Sequence, residues 1–398
     1  MAGPLKGVRV LDLTRVLAGP FATQILADLG AEVIKVERPA TGDDTRGWGP
    51  PFVKNQQGRD TTESTYFAAC NRGKKSVTLD ISTAEGKKLV LALAGQCDVL
   101  VENYKVGDLK RHGLDYESLH AIHPELVYCS ITGYGQTGPY ADRAGYDPIA
   151  QAMCGLMSVT GEPEEMPGTA PQRVGVAVVD LMAGHYAVIG ILAALLHRKQ
   201  TGDGQHIDIG LLDVGVGSMA NIASAYLCAG VVAKRNGGVH PSVVPSQVFK
   251  ASDGWLILAA GNDSQFSSLC RAADRPELAS DPRFATNSDR VRNRAALIPI
   301  LEVMFSRRTV GEWNELCVNA GVPCGPIYTM EQVFQDPQVK ARKMRIDLPH
   351  PAAGTVEMVA SPIRMSETPL QYELPPPVLG QHTNEILKPL ALTAIREI

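Results

Sequence analysis

The stretch VRVLDLTRVLAGPFATQILADLGAEVIKV, from Val8 to Val36, changes its hydrophobic period twice. Val8 to Leu13 is an apolar, β-rich run, Phe21 to Leu29 places apolar residues at helical spacing, and Val33 to Val36 reads as a second strand. Pro20 fits the first helical position and Gly30 the C-terminal stop. The stretch is therefore a βαβ unit. A second unit follows in Ser76 to Leu79, a helix from Ala84 to Ala94 opened by Ser82 and Glu85 at capping-box spacing, and Asp98 to Val101. A third strand, Leu126 to Ile131, comes after a short helix at Tyr116 to Ile122. Strands and helices in alternation predict an α/β domain with a parallel, doubly wound sheet.

The pattern changes after Asp208. Asp213 to Ala229 reads as one long helix, Ala233 to Ser246 as a Gly- and Pro-punctuated loop, and Trp255 to Ala260 as a strand. Helices near Ser264 to Ala272, Asn293 to Phe305 and Val310 to Ala320 complete a smaller α+β domain. From Gly325 the chain is Pro-rich up to a last helix at Asn384 to Leu390, and such a tail is expected to pack back on the first domain. The expected division is a large domain over 1–210 and 330–398, a small domain over 225–325, and linkers at 211–224 and 326–329. The polar run KNQQGRDTT (Lys54 to Thr62) is expected to be a surface loop.

Two domains suit 398 residues. An apolar fraction of 44% with 20% charged residues describes a globular chain, and a net charge of -4 gives no basic face for nucleic acid. The eight cysteines are scattered without a CxxC pair, which predicts reduced thiols rather than disulfides or a zinc site. The first strand begins almost at once, leaving no room for a signal peptide, so a cytoplasmic protein is expected. A source in which a mitochondrial presequence has been removed stays open. The most apolar helix, Leu181 to Leu196, contains His185 and reads as a core helix rather than a membrane span.

The turn after the first strand, TRVLAGPF (Thr14 to Phe21), has one glycine where a dinucleotide fingerprint needs three, so a nicotinamide cofactor is not expected. Phosphate-loop, zinc-protease and nucleophile-elbow motifs are absent as well. One residue stands out. In RVGVAVVDLMAGHYAVIGILAALLHRK (Arg173 to Lys199), a strand-like run, Val174 to Val179, meets an apolar helix at Asp180. Asp180 reads as the helix N-cap, where backbone N–H groups favour a carboxylate. It is a cap or a nucleophile. Arg38, Arg46, Lys74, Lys75, Arg111 and Arg143 fall near strand ends or loops, where such sheets bind ligands.

LKGVRVLDLTRVLAGPFATQILADLGAEVIKVERPATGDDTRGWGPPF (Leu5 to Phe52), NRGKKSVTLD (Asn71 to Asp80), DVLVENYKVGDLKRHGL (Asp98 to Leu114) and SITGYGQTGPYADRAGYD (Ser130 to Asp147) are followed by three shorter motifs. These are TGDGQHIDIGLLD (Thr201 to Asp213), GVPCGPI (Gly321 to Ile327) and LGQHTNEIL (Leu379 to Leu387). In this order, across essentially the whole chain, they resemble the type III CoA-transferases, a family that includes formyl-CoA transferase, carnitine CoA-transferase and α-methylacyl-CoA racemase.

The resemblance implies a Rossmann-like large domain completed by the tail, a small domain, and a homodimer whose chains interlock. It implies Asp180 as a nucleophile that passes from an acyl-aspartyl anhydride to an aspartyl-CoA thioester. It places Arg38, Asn103, Tyr104, Arg111 and Tyr134 along the CoA path. No metal and no permanently bound cofactor are implied, coenzyme A thioester being the substrate.

Leu17 stands where formyl-CoA transferase has glutamine, and Gly261 and Asn262, in GNDSQF, stand where it has a glycine-run loop. Formyl or oxalate chemistry is thereby disfavoured. Tyr146 stands where the racemase branch has histidine, and a phenol with an ordinary pKa of about 10 is a poor two-way proton shuttle. The shared stretches most resemble the succinyl-CoA-dependent dicarboxylate transferases, of the hydroxymethylglutarate or glutarate type. A dicarboxylate needs a cation for its far carboxylate, and Arg15, Arg46 and Arg143 are the candidates. The rival readings are an acyl-CoA racemase or isomerase of the same family and a non-catalytic CoA-binding protein. The identity of the diacid stays open.

Overall fold

The computed structural model describes residues 3–396, with side chains through Leu390. Its central element is a six-stranded sheet of β1 (Arg9–Asp12), β2 (Glu32–Glu37), β3 (Lys74–Thr78), β4 (Val99–Glu102), β5 (Val127–Thr132) and β6 (His206–Gly210). The spatial order is β3-β2-β1-β4-β5-β6 and every pairing is parallel. This is the doubly wound order, which reverses beside β1 and opens a crevice at the carboxyl ends of β1 and β4. The strands read as continuous apolar runs because both faces are covered. On one face Val10, Val33, Val99 and Val127 pack with the helices Ala18–Asp28 and Val178–Thr201. On the other, Leu11, Ile34, Leu100 and Tyr128 pack with Val90 and Leu93 of helix Ala84–Ala94 and with Leu390.

Helix Val178–Thr201 is long and apolar enough, by length and composition, to cross a membrane. Here it buries Val179, Ala183, Gly184, Ala187, Val188, Ile191 and Ala194. It crosses helix Ala18–Asp28 so closely that a Cβ on Gly184 would lie 2.9 Å from the Ala18 carbonyl oxygen.

The chain divides into two compact units, one of 1–156, 174–230 and 340–398, the other of 157–173 and 231–339. Residues 211–224, read from the sequence as a linker, are helical. The single helix expected over 213–229 is two, Leu211–Ser218 and Ala220–Ala229, bent by 75°. Helix Ala84–Ala94 is capped by Thr83, whose hydroxyl accepts the Gly86 N–H, in place of the Ser82 capping box. The expected loop at Lys54 to Thr62 is a hairpin of Phe52–Lys54 with Asp60–Ser64, its tip tied by the Asn55 side chain accepting the Gln57 and Arg59 N–H groups.

The tail contains a hairpin that its prolines conceal, Arg345–His350 with Gly354–Val359. It then runs along the large unit, where the Gly73 N–H donates to the Leu374 carbonyl and the His382 N–H to the Ser76 carbonyl. In the smaller unit, strands Ser246–Lys250, Trp255–Ala259 and Cys324–Pro326 form an antiparallel sheet with Trp255–Ala259 central. Phe249, Phe305 and Trp313 stack in its core.

Candidate active site

The turn after β1 rests on buried charge. Asp12 accepts the Lys74 ammonium at 3.0 Å and the Thr14 and Thr23 hydroxyls, while Lys35 pairs with Asp43 at 2.9 Å and donates to the Thr14 carbonyl at 2.8 Å. Burial opposes ionisation of both Asp12 and Lys35, yet their partners outweigh it and keep both charged. Above this network Val16 adopts φ +73°, a region a β-branched residue avoids, at a cost on the order of 1–3 kcal/mol. Asn103 clamps the neighbouring residue: its Oδ1 accepts the Arg15 N–H at 2.9 Å and its Nδ2 donates to the Arg15 carbonyl at 2.7 Å. Leu17 follows as N-cap of helix Ala18–Asp28.

Two clefts open on either side of this turn, and both have Arg15 and Tyr104 as walls. The first, about 250 Å³, is lined by Arg38, Gly42, Ser82, Arg111 and His112. Arg38 pairs with Asp44 and Arg111 with Asp108, and both guanidinium groups stay largely exposed. The second, about 240 Å³, is lined by Leu17, Asn103, Lys105, Arg143, Tyr146 and Asp180. Its far wall can approach because Gly133 and Gly145 touch, where a Cβ on either would lie 2.5 Å from the other's Cα.

Asp180 is not the N-cap. Helix Val178–Thr201 starts two residues before it, with Ala177 as N-cap and no capping side chain there. Asp147 serves instead. Its Oδ1 accepts the Val179 N–H at 2.9 Å and the Asp180 N–H at 3.3 Å, and its Oδ2 accepts the Gln151 amide at 2.7 Å. Gln151 in turn accepts the Val174 N–H at 2.9 Å, so the approach to the helix is held irregular rather than as a strand. Burial first, and then the Asp147 charge, push Asp180 up to about 7. The carboxylate expected to be comfortably ionised is thus poised between its two forms at neutral pH.

Several expected site residues lie elsewhere or are engaged. Arg46 lines neither cleft: it is bidentate to Glu37 at 2.7 and 2.8 Å, near Glu63 at 3.6 Å, and its guanidinium lies 3.7 Å over the Phe67 ring. It is a largely covered cation already engaged by Glu37. Asn103 has both amide atoms on the Arg15 backbone, so it shapes the clefts and is not free as drawn from the sequence. The Tyr134 hydroxyl meets the Met153 sulfur at 3.4 Å and its ring packs on Tyr140. Gly261 and Asn262 belong to the smaller unit, where Asn262 caps helix Asp263–Ala272 and the Gly261 N–H donates to Gln265.

The sequence reading missed three groups. Asp147 ends the RAGYD motif without a role having been drawn from it. Tyr66 is pushed up to about 12 by burial and then by the charges of Asp180, Cys70 and Asp147, and its ring packs edge-on against Trp48. Glu102 lies buried behind the shared wall. Glu102 and Asp147 each carry the signal of an acid inside a quoted motif, whereas Tyr66 lies between two motifs and carries none.

Residues 5–383 match the model of CoA-transferase family III. A succinate–glutarate CoA-transferase of Agrobacterium fabrum is 48% identical over 97% of this chain and 96% of its own length. A succinyl-CoA:glutarate CoA-transferase of Mus musculus is 49% identical, over 97% of this chain and 86% of its own. The crystal structure of a CAIB/BAIF family protein from Brucella suis superposes with a TM-score of 0.88 at 48% identity, covering 98% of this chain and 100% of that one. A family match over nearly the full length, joined by relatives at this identity, settles the membership: the chain belongs to CoA-transferase family III.

Proposed function

We propose that this enzyme moves CoA from succinyl-CoA to a dicarboxylic acid, with Asp180 as the covalent nucleophile. The observation that carries the reading is the placement of Asp180 in a cleft that also holds Arg15, Lys105 and Arg143. An Asp180 carboxylate oxygen attacks the thioester carbonyl and CoA leaves as its thiolate, giving a succinyl-aspartyl anhydride. The thiolate then attacks the Asp180 carbonyl, succinate departs, and an aspartyl-CoA thioester remains. The acceptor carboxylate reverses both steps and returns Asp180 as a carboxylate. Every intermediate is prone to hydrolysis, so a cleft that excludes water is required.

The first cleft, with Arg38 and Arg111, takes the phosphates of CoA, and the pantetheine arm passes Arg15 and Tyr104 to Asp180. The far carboxylate of the diacid goes to Arg143. Arg15 is already paired with Asp44 at 3.2 Å, whereas the Arg143 guanidinium lies over the Tyr140 ring at 3.8 Å and makes no ion pair among the described residues. A planar guanidinium held on a ring is suited to bidentate carboxylate binding. Glutarate is the first acceptor to test, because the two relatives named above carry it in their names.

A carboxyl near 7 also suits proton transfer, which gives the racemase reading its one support. A racemase needs a second acid or base, and among the described residues no histidine lines the Asp180 cleft. We further infer an interlocked homodimer in the cytoplasm. Helix Ala220–Ala229 buries none of its residues, with Tyr226 and Leu227 59% and 79% exposed, and a partner chain would cover them. The eight free thiols suit a reducing compartment.

Intact-protein mass spectrometry after brief exposure to succinyl-CoA tests the mechanism. A CoA-sized adduct on the wild type and none on Asp180→Ala is expected. No adduct on either protein, with CoA thioester still bound, would favour the isomerase or binding reading.

A further inference from the structure

Glu102 ends β4 at the switch point of the sheet and is only 5% exposed. Its neighbours are the Ser130 hydroxyl, the Tyr104 backbone N–H and the Asp208 carboxylate, and none of them is a cation. Burial pushes Glu102 up to about 7, the Ser130 and Tyr104 hydrogen bonds oppose the push, and Asp208 adds to it. A carboxyl kept in such a place at such a cost calls for an explanation beyond packing.

What it touches supplies one. Glu102 Oε2 accepts the Tyr104 N–H at 2.7 Å. Between the two residues lies Asn103, whose amide holds both the N–H and the carbonyl of Arg15. The Arg15 guanidinium sits 5.2 Å over the Tyr104 ring. Arg15 and Tyr104 are the walls common to the two clefts, so the partition between them hangs from the corner that Glu102 fastens. Glu102 is itself backed by a chain of rigid groups. Ser130 Oγ lies 3.0 Å from His206 Nε2, the His206 ring stacks on Tyr116 at 4.8 Å, and Tyr116 stacks on His120 at 5.0 Å.

We propose that Glu102 is a positioning residue for coenzyme A binding: by accepting the Tyr104 N–H it fixes the Asn103–Tyr104 corner, and through Asn103 the Arg15 turn, in the shape that lets one CoA molecule thread both clefts. The inference rests on the reading that CoA occupies these clefts. It assigns a role to a residue that touches neither the substrate nor Asp180. Loss of the acceptor frees the corner, and the entropy of re-ordering it is then charged to every binding event.

Calorimetric titration of the full-length protein with free coenzyme A reads the proposal. Glu102→Gln keeps an oxygen for the Tyr104 N–H, Glu102→Met keeps the length of the side chain without an acceptor, and Glu102→Ala removes both. Expected is a CoA affinity weakened about tenfold or more in the Ala and Met variants, with Gln within about threefold of wild type. A residue that only fills the core would lower the melting temperature of the variants and leave the CoA affinity of the folded protein unmoved. Equal affinity in wild type and Glu102→Met, or a Gln variant as weak as Met, overturns the proposal. The Met and Gln pair decides the matter even where Ala does not fold. Succinyl-CoA turnover by the wild type separately tests the transfer reading: variants that bind CoA in the predicted rank order beside a wild type that transfers nothing sink that reading and leave this one standing.

Discussion

Asp147 Oδ1 caps the helix that carries Asp180, accepting the backbone N–H of Val179 at 2.9 Å and of Asp180 itself at 3.3 Å. The supporting acid therefore takes two N–H groups of the helix start, and for the reacting acid, in the first turn, burial and a like charge set the direction of the shift. Since attack requires the carboxylate, kcat/KM is expected to rise with pH through about 7, where Asp180 ionises. Asp147→Asn keeps a carbonyl oxygen for the two N–H groups and removes the charge. The acidic limb should move to lower pH without reaching the ordinary carboxylate range, because burial, the larger cause, remains. A pH–rate profile of both proteins measures this, and an unmoved limb would show that the Asp147 charge has no hold on Asp180.

The same elevation predicts a trade of stability for activity at Asp180. Its folded pKa of about 7 lies above the ordinary value of 3.8, so folding takes up a proton between those limits. Stability from this group is highest in acid and is lost as pH rises through 7. Asp180→Asn, which cannot ionise, should abolish turnover and raise stability, with the gain growing by about 1–3 kcal/mol from pH 5 to pH 8. Urea denaturation at the two pH values reads the difference. A gain that is flat with pH would contradict the raised pKa.

How far the sequence reaches can be seen from where its readings part from the structure. Val8 to Val36 was legible because both strands are buried on two faces and Gly30, at φ +101°, ends the helix between them. The start of the Asp180 helix was not. Its cap comes from Asp147, 33 residues upstream, and an apolar run such as Val174 to Val179 has no period that separates strand from helix. The tail hairpin hid behind Pro349 and Pro351, and it forms because Leu348, Val356 and Met358 find Ala68 to pack on. Among the arginines, Arg46 and Arg143 both looked like loop cations. Only the placement of Glu37 beside Arg46 separates the structural one from the one open to a ligand. Residue types at the site could be read from motifs, but their pairing is a tertiary fact.

Arg143→Ala should therefore act on the diacid end of the substrates and on nothing else. Loss of a charge-assisted contact to a carboxylate weakens binding by about 1.5–3 kcal/mol, which is roughly 10- to 100-fold in KM for glutarate. The KM for succinyl-CoA should rise as well, since its free carboxylate uses the same group. Affinity for free CoA, which has no such carboxylate, should stay as in the wild type. Steady-state kinetics with both substrates, set beside a CoA titration, separate these outcomes. A selective loss of CoA affinity would assign Arg143 to the CoA path instead.

Arg46 is expected to show the opposite signature. Burial pushes Glu37 up, but the Arg46 hydrogen bonds and the Lys35 charge outweigh it and hold the carboxylate below its ordinary range. Glu37 is 3% exposed, so Arg46→Met leaves a buried carboxylate with less than its native complement of partners, at a cost of about 3–5 kcal/mol. Because the folded pKa of Glu37 is depressed, the stabilisation is present above the unfolded value near 4.3 and is lost on acidification through the folded value. The variant should melt well below the wild type at pH 7, and the gap should narrow as the pH is lowered past 4. In the fraction that stays folded, KM for the diacid should be unchanged. A diacid KM raised as much as in Arg143→Ala, with little loss of stability, would return Arg46 to the substrate site.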